Sequence, residues 1–584
     1  MNASSTGASP GDGAADRAFT LEGPEASGAQ GEAAGSDQLP IVRAPGDWAG
    51  ILLEAGATPL ANAVSQWMRD KRWFRGKARV ITTSAIRDVI PLPAGTGTVA
   101  LTFLHVEYRD GDGETYSVPL ALATGERAAR VESDSPASVV ARIALADGAV
   151  GIVHDAFIDA DVIVALLEQI AGSRRIRARG GELIGTPTPA FQALRGTEAV
   201  LPVTVSRAEQ SNSSAILGDR LILKLFRRLE SGINPDLEVT RFLTERGFPN
   251  IAALAGFVVH RGEDGESSAV ALAQQFVPNE GDVWALTLDR LDDFAARAAA
   301  ADGSAPPADT SARALLASSA VDPPGLARRM IGPFLDTAGL LGTRTAELHR
   351  ALSGDPDHPD FAPQPFTLMD RRSLYQSLRN QARHTFLFAG RVVARLPADV
   401  QAATREVMAA EDQVDARYRA LLGMRLTGQR IRVHGDLHAG QVLDTGRDVV
   451  IIDFEGEPAR PQGERRRRRS ALVDVAGMLR SFHYAAYGLL RNPAAAASPA
   501  WARDRPALEP WIHYWYQWVA ATFLRGYRQA AGDAIFVPKT DDEFARLLDA
   551  FLLEKAIYEL SYELNNRPDW VGIPLHGIRE LLAR

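Results

Sequence analysis

The chain contains no cysteine, which excludes disulfides, thiolate metal sites and cysteine nucleophiles together. It also lacks any run of about 18 apolar residues, so no membrane span is expected. Its N-terminus has no basic segment followed by an apolar one, so no signal peptide is read. With the missing cysteines, this gives a cytoplasmic expectation. Positive charge is not in excess: the formal net charge is −8, which argues against a general nucleic-acid binder. What remains is 46% hydrophobic and 23% charged, the composition of a soluble globular protein. At 584 residues the chain is too long for one ordinary core and should divide into about two to four units.

Residues 1–39 are rich in Ala, Gly, Ser and acids and hold almost no large apolar groups. Such a stretch does not bury enough surface to offset chain entropy and is expected to be disordered. Residues 40–196 alternate β-like runs with helical stretches and read as a separate α/β subdomain. From Leu201 the pattern is a β-meander, with Gly218-Asp219 as a tight turn before the strand Leu221–Phe226. Asn234-Pro235 reads as a helix start and Gly247 as a stop. Two alanine-rich stretches, 295–322 and 493–508, read as surface insertions. The rest after residue 325 reads as helical, apart from a strand-rich block over 430–457.

That block carries the sharpest chemical signal. Val433-His434-Gly435-Asp436-Leu437-His438-Ala439-Gly440-Gln441 is followed by the apolar run Val449-Val450-Ile451-Ile452 ending in Asp453-Phe454-Glu455. A kinase needs one carboxylate to accept the proton of the attacking hydroxyl. It needs a second, at a strand end, to hold Mg²⁺ against the phosphates. Asp436 and Asp453 suit those roles, with an amide or carboxylate shortly after the first Asp to complete the metal shell. A lone His-Gly-Asp would more often only cap a turn; the second Asp at the right place weighs against that.

Upstream, Lys224 sits among apolar residues in Leu221–Phe226, so it needs either solvent or an ionic partner. Glu238 on the following helix is the expected partner, the arrangement by which kinases set an ammonium on the α- and β-phosphates. The loop Glu209-Gln210-Ser211-Asn212-Ser213-Ser214 occupies the place of a phosphate-covering loop and offers hydroxyl and amide donors. Near the C-terminus Lys555, Tyr558, Glu559 and Tyr562 fall at i, i+3, i+4 and i+7 and share one helical face suited to a sugar. Trp511, Tyr514, Trp515 and Trp518 form an aromatic stripe that reads as packing. Arg465 to Arg469 form a run of arginines that reads as a solvated or phosphate-facing loop rather than a nucleic-acid site.

Together these residues resemble the maltokinase family, within the aminoglycoside-phosphotransferase-like, protein-kinase-like superfamily. The resemblance rests on Arg72-Trp73-Phe74-Arg75-Gly76-Lys77, Glu209–Ser213, Leu223-Lys224-Leu225-Phe226-Arg227-Arg228 and Asn234-Pro235-Asp236. It continues in His434-Gly435-Asp436, in Asp453–Pro458, and in Tyr562-Glu563-Leu564-Asn565-Asn566-Arg567-Pro568-Asp569-Trp570. It implies an α+β, bilobal protein-kinase-like fold with an additional N-terminal cap subdomain over 40–196, an N-lobe over 197–282 and a mainly helical C-lobe over 283–584. It implies transfer of the ATP γ-phosphoryl to the anomeric hydroxyl of maltose, giving maltose 1-phosphate. Carried over, Asp436 is the catalytic base, and Gln441 and Asp453, with Glu455 as a weaker candidate, hold Mg²⁺. ATP falls to Lys224, Glu238, Ser211, Asn212 and Ser213, with Gln275, Phe276 and Val277 as the hinge facing adenine. His438, Lys555, Tyr558, Glu559 and Tyr562 would line the maltose site. Similar domains occur fused to trehalose synthases, which implies association with such an enzyme. The competing readings are a kinase of glucosamine or an aminoglycoside, and a dead pseudokinase. An aminoglycoside site should be crowded with carboxylates, and a pseudokinase should have lost a catalytic position; neither holds here.

Overall fold

The computed structural model describes residues 39–43, 48–53, 57–77, 79–95, 99–145, 148–206, 211–301, 304–491 and 505–583. Expectations for residues 1–38 and for most of 493–508 lie outside those residues. The chain forms two compact units: one runs to Glu245 and takes in Ala252–Pro278, and the other comprises Arg246–Ile251 and Asn279–Arg584.

The first unit is built on two seven-stranded sheets. One has the order Ile41–Arg43, Val139–Ala144, Val150–Asp155, Glu114–Thr124, Val99–Tyr108 and Ile81–Pro91, with Arg228–Leu229 paired on Glu114–Thr124. The other has the order Arg175–Arg177, Gly181–Pro187, Leu254–Gly262, Ser267–Gln275, Leu221–Leu225, Ser213–Leu217 and Val203–Val205. Helix Ala160–Ala171 contributes Ile163, Leu166 and Ile170 to one core that also contains Leu101 and Phe103 from the first sheet and Leu223, Val258 and Ala271 from the second. On the opposite face of the first sheet, helix Ala57–Met68 and the pair Trp73 and Phe74 close a second core.

This arrangement corrects the expected boundary at 196/197. Strands 175–177 and 181–187, expected in the cap, pair within the sheet of the Lys224 strand, while 228–229 pairs back onto the cap sheet. A shared core and strands exchanged in both directions make cap and strand lobe one unit. Locally the reading holds. Gly218 turns the hairpin at φ 56°, and Asn234 Oδ1 accepts from Leu237 N at 3.0 Å to start helix Pro235–Glu245. Gly247 follows that helix at φ 65°.

The second unit is mainly helical and carries one small sheet of Gly281–Asp282, Val442–Asp444 and Val449–Ile451. Residues 281 and 282, expected in the strand lobe, therefore belong with the catalytic block. Helix Phe334–Leu352 runs close to helix Arg505–Ala531; a Cβ on Gly342 would lie 2.0 Å from the Phe523 carbonyl oxygen. Trp511, Tyr514 and Trp515 are buried, and Trp515 stacks on Phe334 with centroids 5.6 Å apart, so that stripe is packing. The surface-insertion reading of 295–322 does not hold. Helix Val283–Ala299 buries Ala295 and Ala298, and helix Ala312–Ser319 buries Ala312, Leu315 and Leu316. Ala295, Ala298 and Ala312 are buried there, while Ala296, Ala299, Ala300, Ala317 and Ala320 are exposed, so the stretch has a core face and a solvent face. Helix Asp541–Asn566 is buried on most of its circumference. Charged groups on such a helix must be paired, which singles out Glu554, Lys555 and Glu559.

Candidate active site

In the second unit, Asp436 sits in a loop whose backbone is pinned from the side. The carboxylate of Asp474, fully buried on helix Leu472–Arg491, accepts from His434 N and Gly435 N, each at 2.8 Å. About two turns further along the same face, Ser481 Oγ accepts from Ala439 N at 3.1 Å. Between them Gly477 presents no side chain; a Cβ there would lie 2.4 Å from the Leu437 carbonyl oxygen. Asp474, Gly477 and Ser481 fall at i, i+3 and i+7, so one stripe of this helix cradles the whole loop. Asp474 is held in turn by His349 at 3.0 Å, which bonds Tyr527 at 3.0 Å. Burial pushes the Asp474 carboxyl up, but the bonds and charges of His349 and His434 outweigh it and hold it below its usual value.

Asp436 itself meets Lys555, whose Nζ lies 2.7 Å from Oδ1. Burial would raise the Asp436 pKa; the Lys555 ammonium, with His438 and His434, reverses this and holds it at about 2. Asp436 is therefore a carboxylate at neutral pH, able to accept a proton. His438 is lowered to about 4, first by burial and against the pull of Asp436, so its ring is neutral at pH 7. Its buried Nδ1 has no hydrogen-bond partner among the described residues. Tyr558 lies 4.6 Å from Lys555 Nζ by its ring centroid, and burial and the Asp436 charge raise its pKa.

The strand Val449–Ile451 leads to Asp453, a non-glycine residue at φ 65°, where strain of this kind often marks a functional position. Gln441 Nε2 donates to Asp453 Oδ2 at 2.8 Å, so the two expected metal ligands stand together, with Glu455 half-buried two residues on. Carboxylate and amide oxygens are the donors a hard divalent cation such as Mg²⁺ prefers, so this set fits the metal expected from the sequence.

On helix Asp541–Asn566, expected from the sequence to face the sugar, most of the acidic groups near the site are already paired. Glu559 is paired with buried Arg480 through both carboxylate oxygens. Glu554 meets Arg460 at 2.8 Å and Arg469 at 2.9 Å, Glu457 meets Arg460, and Glu563 meets Arg567 at 2.7 Å. Tyr562 is 44% exposed. Four of the five arginines of the run are half-buried and bonded within the protein: Arg465 donates to the Glu455 carbonyl, Arg466 pairs with Asp360, Arg468 donates to the Ala362 carbonyl and Arg469 binds Glu554, while Arg467 is exposed. A small cavity is lined by Gly435, Asp436, Glu457, Glu554 and Lys555.

In the first unit, Lys224 Nζ lies 2.9 Å from Asp236 Oδ2. Asp236 stands in the motif Asn234-Pro235-Asp236, where it was given no role of its own; the expected partner Glu238 is half-buried two residues further along the helix. Ser213 Oγ accepts from Arg227 Nε at 2.7 Å, and Arg227 also binds Asp155 and lies 5.0 Å from the Trp73 ring centroid. The motif residue Arg227 thus ties Ser213, at the end of the expected phosphate-covering loop, to Asp155 and lies over Trp73. Asn212 is buried and Ser211 exposed; Glu209 and Gln210 lie outside the described residues. Gln275 N donates to the Ala253 carbonyl and Phe276 N to the Arg220 carbonyl, each at 2.8 Å, with Val277 next in the chain.

Asp474, Arg480 and Ser481 were not singled out from sequence, and Asp236 was read only as part of the motif Asn234-Pro235-Asp236. A signal existed for two of them. Asp474 and Arg480 are charges in the otherwise apolar run Leu472–Leu479 and its extension, where a buried ion must have a partner.

Residues 67–159 match the family model of the maltokinase N-terminal cap domain. The chain is 26% identical over 485 residues to a glucosamine kinase of Streptacidiphilus jiangxiensis, covering 79% of this chain and 95% of that one. It is 25% identical over 393 residues to a glucosamine kinase of Mycolicibacterium smegmatis, covering 67% and 81%. A solved glucosamine kinase in complex with glucosamine, ADP and inorganic phosphate shares the fold at a TM-score of 0.52 and 18% identity, over 92% of this chain and 99% of that one. The resemblance to the maltokinase family holds, and the fold is kinase-like, α+β, with an N-terminal cap and a helical C-terminal region.

Proposed function

We propose that this chain, a kinase carrying the N-terminal cap domain of the maltokinases, transfers the γ-phosphoryl of ATP to a hydroxyl of a neutral sugar. The finer reading is the anomeric hydroxyl of maltose, giving maltose 1-phosphate and ADP. The observation that carries the proposal is Asp436, kept ionised at about 2 on a loop whose backbone is fixed by Asp474. The sugar oxygen attacks the γ-phosphorus and its proton passes to the Asp436 carboxylate. The bond from that phosphorus to the β–γ bridging oxygen breaks, and ADP leaves with the electron pair. Lys224 would meet the phosphates, with Glu238, Ser211, Asn212 and Ser213 beside it, and Gln275, Phe276 and Val277 would face adenine. Gln441, Asp453 and Glu455 would hold Mg²⁺, which when bound offsets charge on the phosphate oxygens.

The charge pattern supports a neutral acceptor. Glu554, Glu559 and Glu563 each already face an internal arginine, so an ammonium on the sugar would have to compete for them. His438, Lys555, Tyr558, Glu559 and Tyr562 offer hydroxyl partners and ring faces to a disaccharide. The maltose reading brings with it an association with trehalose synthase. A second reading, glucosamine, is favoured by the names of the relatives. The test is a panel of maltose, glucosamine and an aminoglycoside with ATP and Mg²⁺, with products identified by mass and NMR. Maltose 1-phosphate as the main product supports the proposal. Much faster turnover of glucosamine replaces it with the second reading.

A further inference from the structure

Away from the catalytic loop, helix Arg505–Ala531 carries Glu509 and His513 at i and i+4, which sends both side chains from one face. Helix Gly572–Leu582 brings His576 to the same place. A ligating atom of each of these three residues lies within 4.8 Å of the other two. The two imidazole rings face each other, with centroids 6.4 Å apart and planes 16° from parallel. His513 Nε2 is buried with no hydrogen-bond partner among the described residues, an unfavourable state for a polar nitrogen in a packed region. A further carboxylate lies nearby, beyond hydrogen-bond distance of His576. Glu580 Oε2 lies 4.0 Å from His576 Nε2 and 3.1 Å from His483 Nε2. A metal-ligating histidine commonly turns its second nitrogen to such a carboxylate. Tyr487 packs on both rings, at 4.7 Å from His576 and 5.4 Å from His513, and limits their rotation.

We propose that Glu509, His513 and His576 bind a divalent transition-metal ion of the zinc type. Two imidazole nitrogens and one carboxylate oxygen form a three-residue zinc donor set that leaves a fourth position for water. Imidazole selects zinc over the hard-oxygen cations Mg²⁺ and Ca²⁺, so this site differs in chemistry from the all-oxygen set of Gln441, Asp453 and Glu455. The ion bridges the opening turns of one helix and the C-terminal helix, and it acts as a staple with no part in phosphoryl transfer. The inference is independent of the sugar assignment.

The test uses the full chain, stripped with a chelator and then held in excess Mg²⁺ so that the oxygen-donor site is filled. Zinc is titrated by calorimetry, and zinc retained after dialysis is measured by elemental analysis. The expected result is one zinc ion per chain, a raised Tm and visible Co²⁺ absorption bands characteristic of nitrogen ligation. His513→Gln and His576→Gln should each weaken zinc binding by at least about 10-fold, with circular dichroism confirming the fold. If a histidine variant fails to fold, Glu509→Gln decides: weakened zinc binding with an unchanged metal-free Tm supports the site. Failure to retain zinc, or undiminished retention in every folded variant, overturns it.

Discussion

The two units hold their chemical groups in opposite ways. In the first, Lys224 stands on a regular antiparallel strand, paired with Ser214 on one side and Leu272 on the other. Its carboxylate comes from Asp236, twelve residues along the chain. In the second, Asp436 lies in a loop whose supports come from far away in sequence: Lys555 at a separation of 119 residues, and Asp474 at 40 from His434. A strand holds its backbone through its own ladder, and the carboxylate of Asp236 comes from the helix that follows it. A loop has no ladder of its own, and its N–H groups must be met by side chains. The second unit meets them with a buried helix stripe, and so its chemistry depends on distant packing.

The largest test of this contrast is the base itself. Asp436→Asn keeps the shape and removes the proton acceptor, so turnover should fall by about 10²–10⁴. ATP binding, measured by calorimetry, should stay near the parent's. Unchanged turnover would remove Asp436 from the chemistry and with it the functional side of the comparison. The second test sets the two supporting carboxylates against each other. Asp474→Ala strands His349 and two backbone N–H groups in a fully buried region, and removing one partner of such a network costs about 3–5 kcal/mol. Asp236→Asn leaves Lys224 on its strand with a neutral partner and should lower the Tm less. Denaturant melts of both variants give the answer; an equal or larger loss for Asp236→Asn would break the comparison.

The same difference explains what could be read from the sequence. The hairpin around Gly218, the cap at Asn234 and the Lys224 strand are local patterns of period two and 3.6, and the structure reproduces them. His434-Gly435-Asp436 and the strand ending at Asp453 were legible because their residues lie close together in the chain. The cap boundary was not legible, because nothing local in 175–187 says which sheet those strands will join. The alanine-rich stretch 295–322 was misread because its low complexity hid a core face beside a solvent face. Glu559 was read as open to a sugar. Its Arg480 partner sits 79 residues earlier; the apolar run around Arg480 signals a buried ion, but nothing local says which carboxylate meets it.

A smaller effect is expected at the exposed end of the face proposed to meet the sugar. Tyr562→Phe removes one hydroxyl from a partly exposed ring. A neutral hydrogen bond contributes about 0.5–1.5 kcal/mol, so the KM for the sugar should rise about 2- to 12-fold with the ATP KM and the Tm unchanged. An unaltered sugar KM would confine recognition to the buried part of the helix. Glu559→Gln is the less clean probe, since it also leaves Arg480 buried beside a neutral amide and should lower the Tm.

The smallest effect at neutral pH, and the most specific, belongs to Lys555→Met. The Asp436 pKa is depressed in the folded protein, to about 2 from an ordinary value of 3.8, and the Lys555 ammonium is the largest lowering influence on it. A depressed carboxylate stabilises the fold at pH values above its unfolded pKa, and that contribution is lost as pH falls through the folded one. For Asp436 the window runs from about pH 4 down to about pH 2. Without the ammonium, burial is left less opposed and the pKa should rise by about 1–3 units. At pH 7 the base is still ionised, so kcat there changes little through ionisation. Between about pH 3 and 5 the variant should lose turnover that the parent keeps, with the acid limb of kcat moved upward. The sugar KM is a separate readout, since Lys555 also faces the acceptor in the proposed function. A kcat profile that keeps the parent's acid limb would show that the lysine serves recognition alone and does not hold the base ionised.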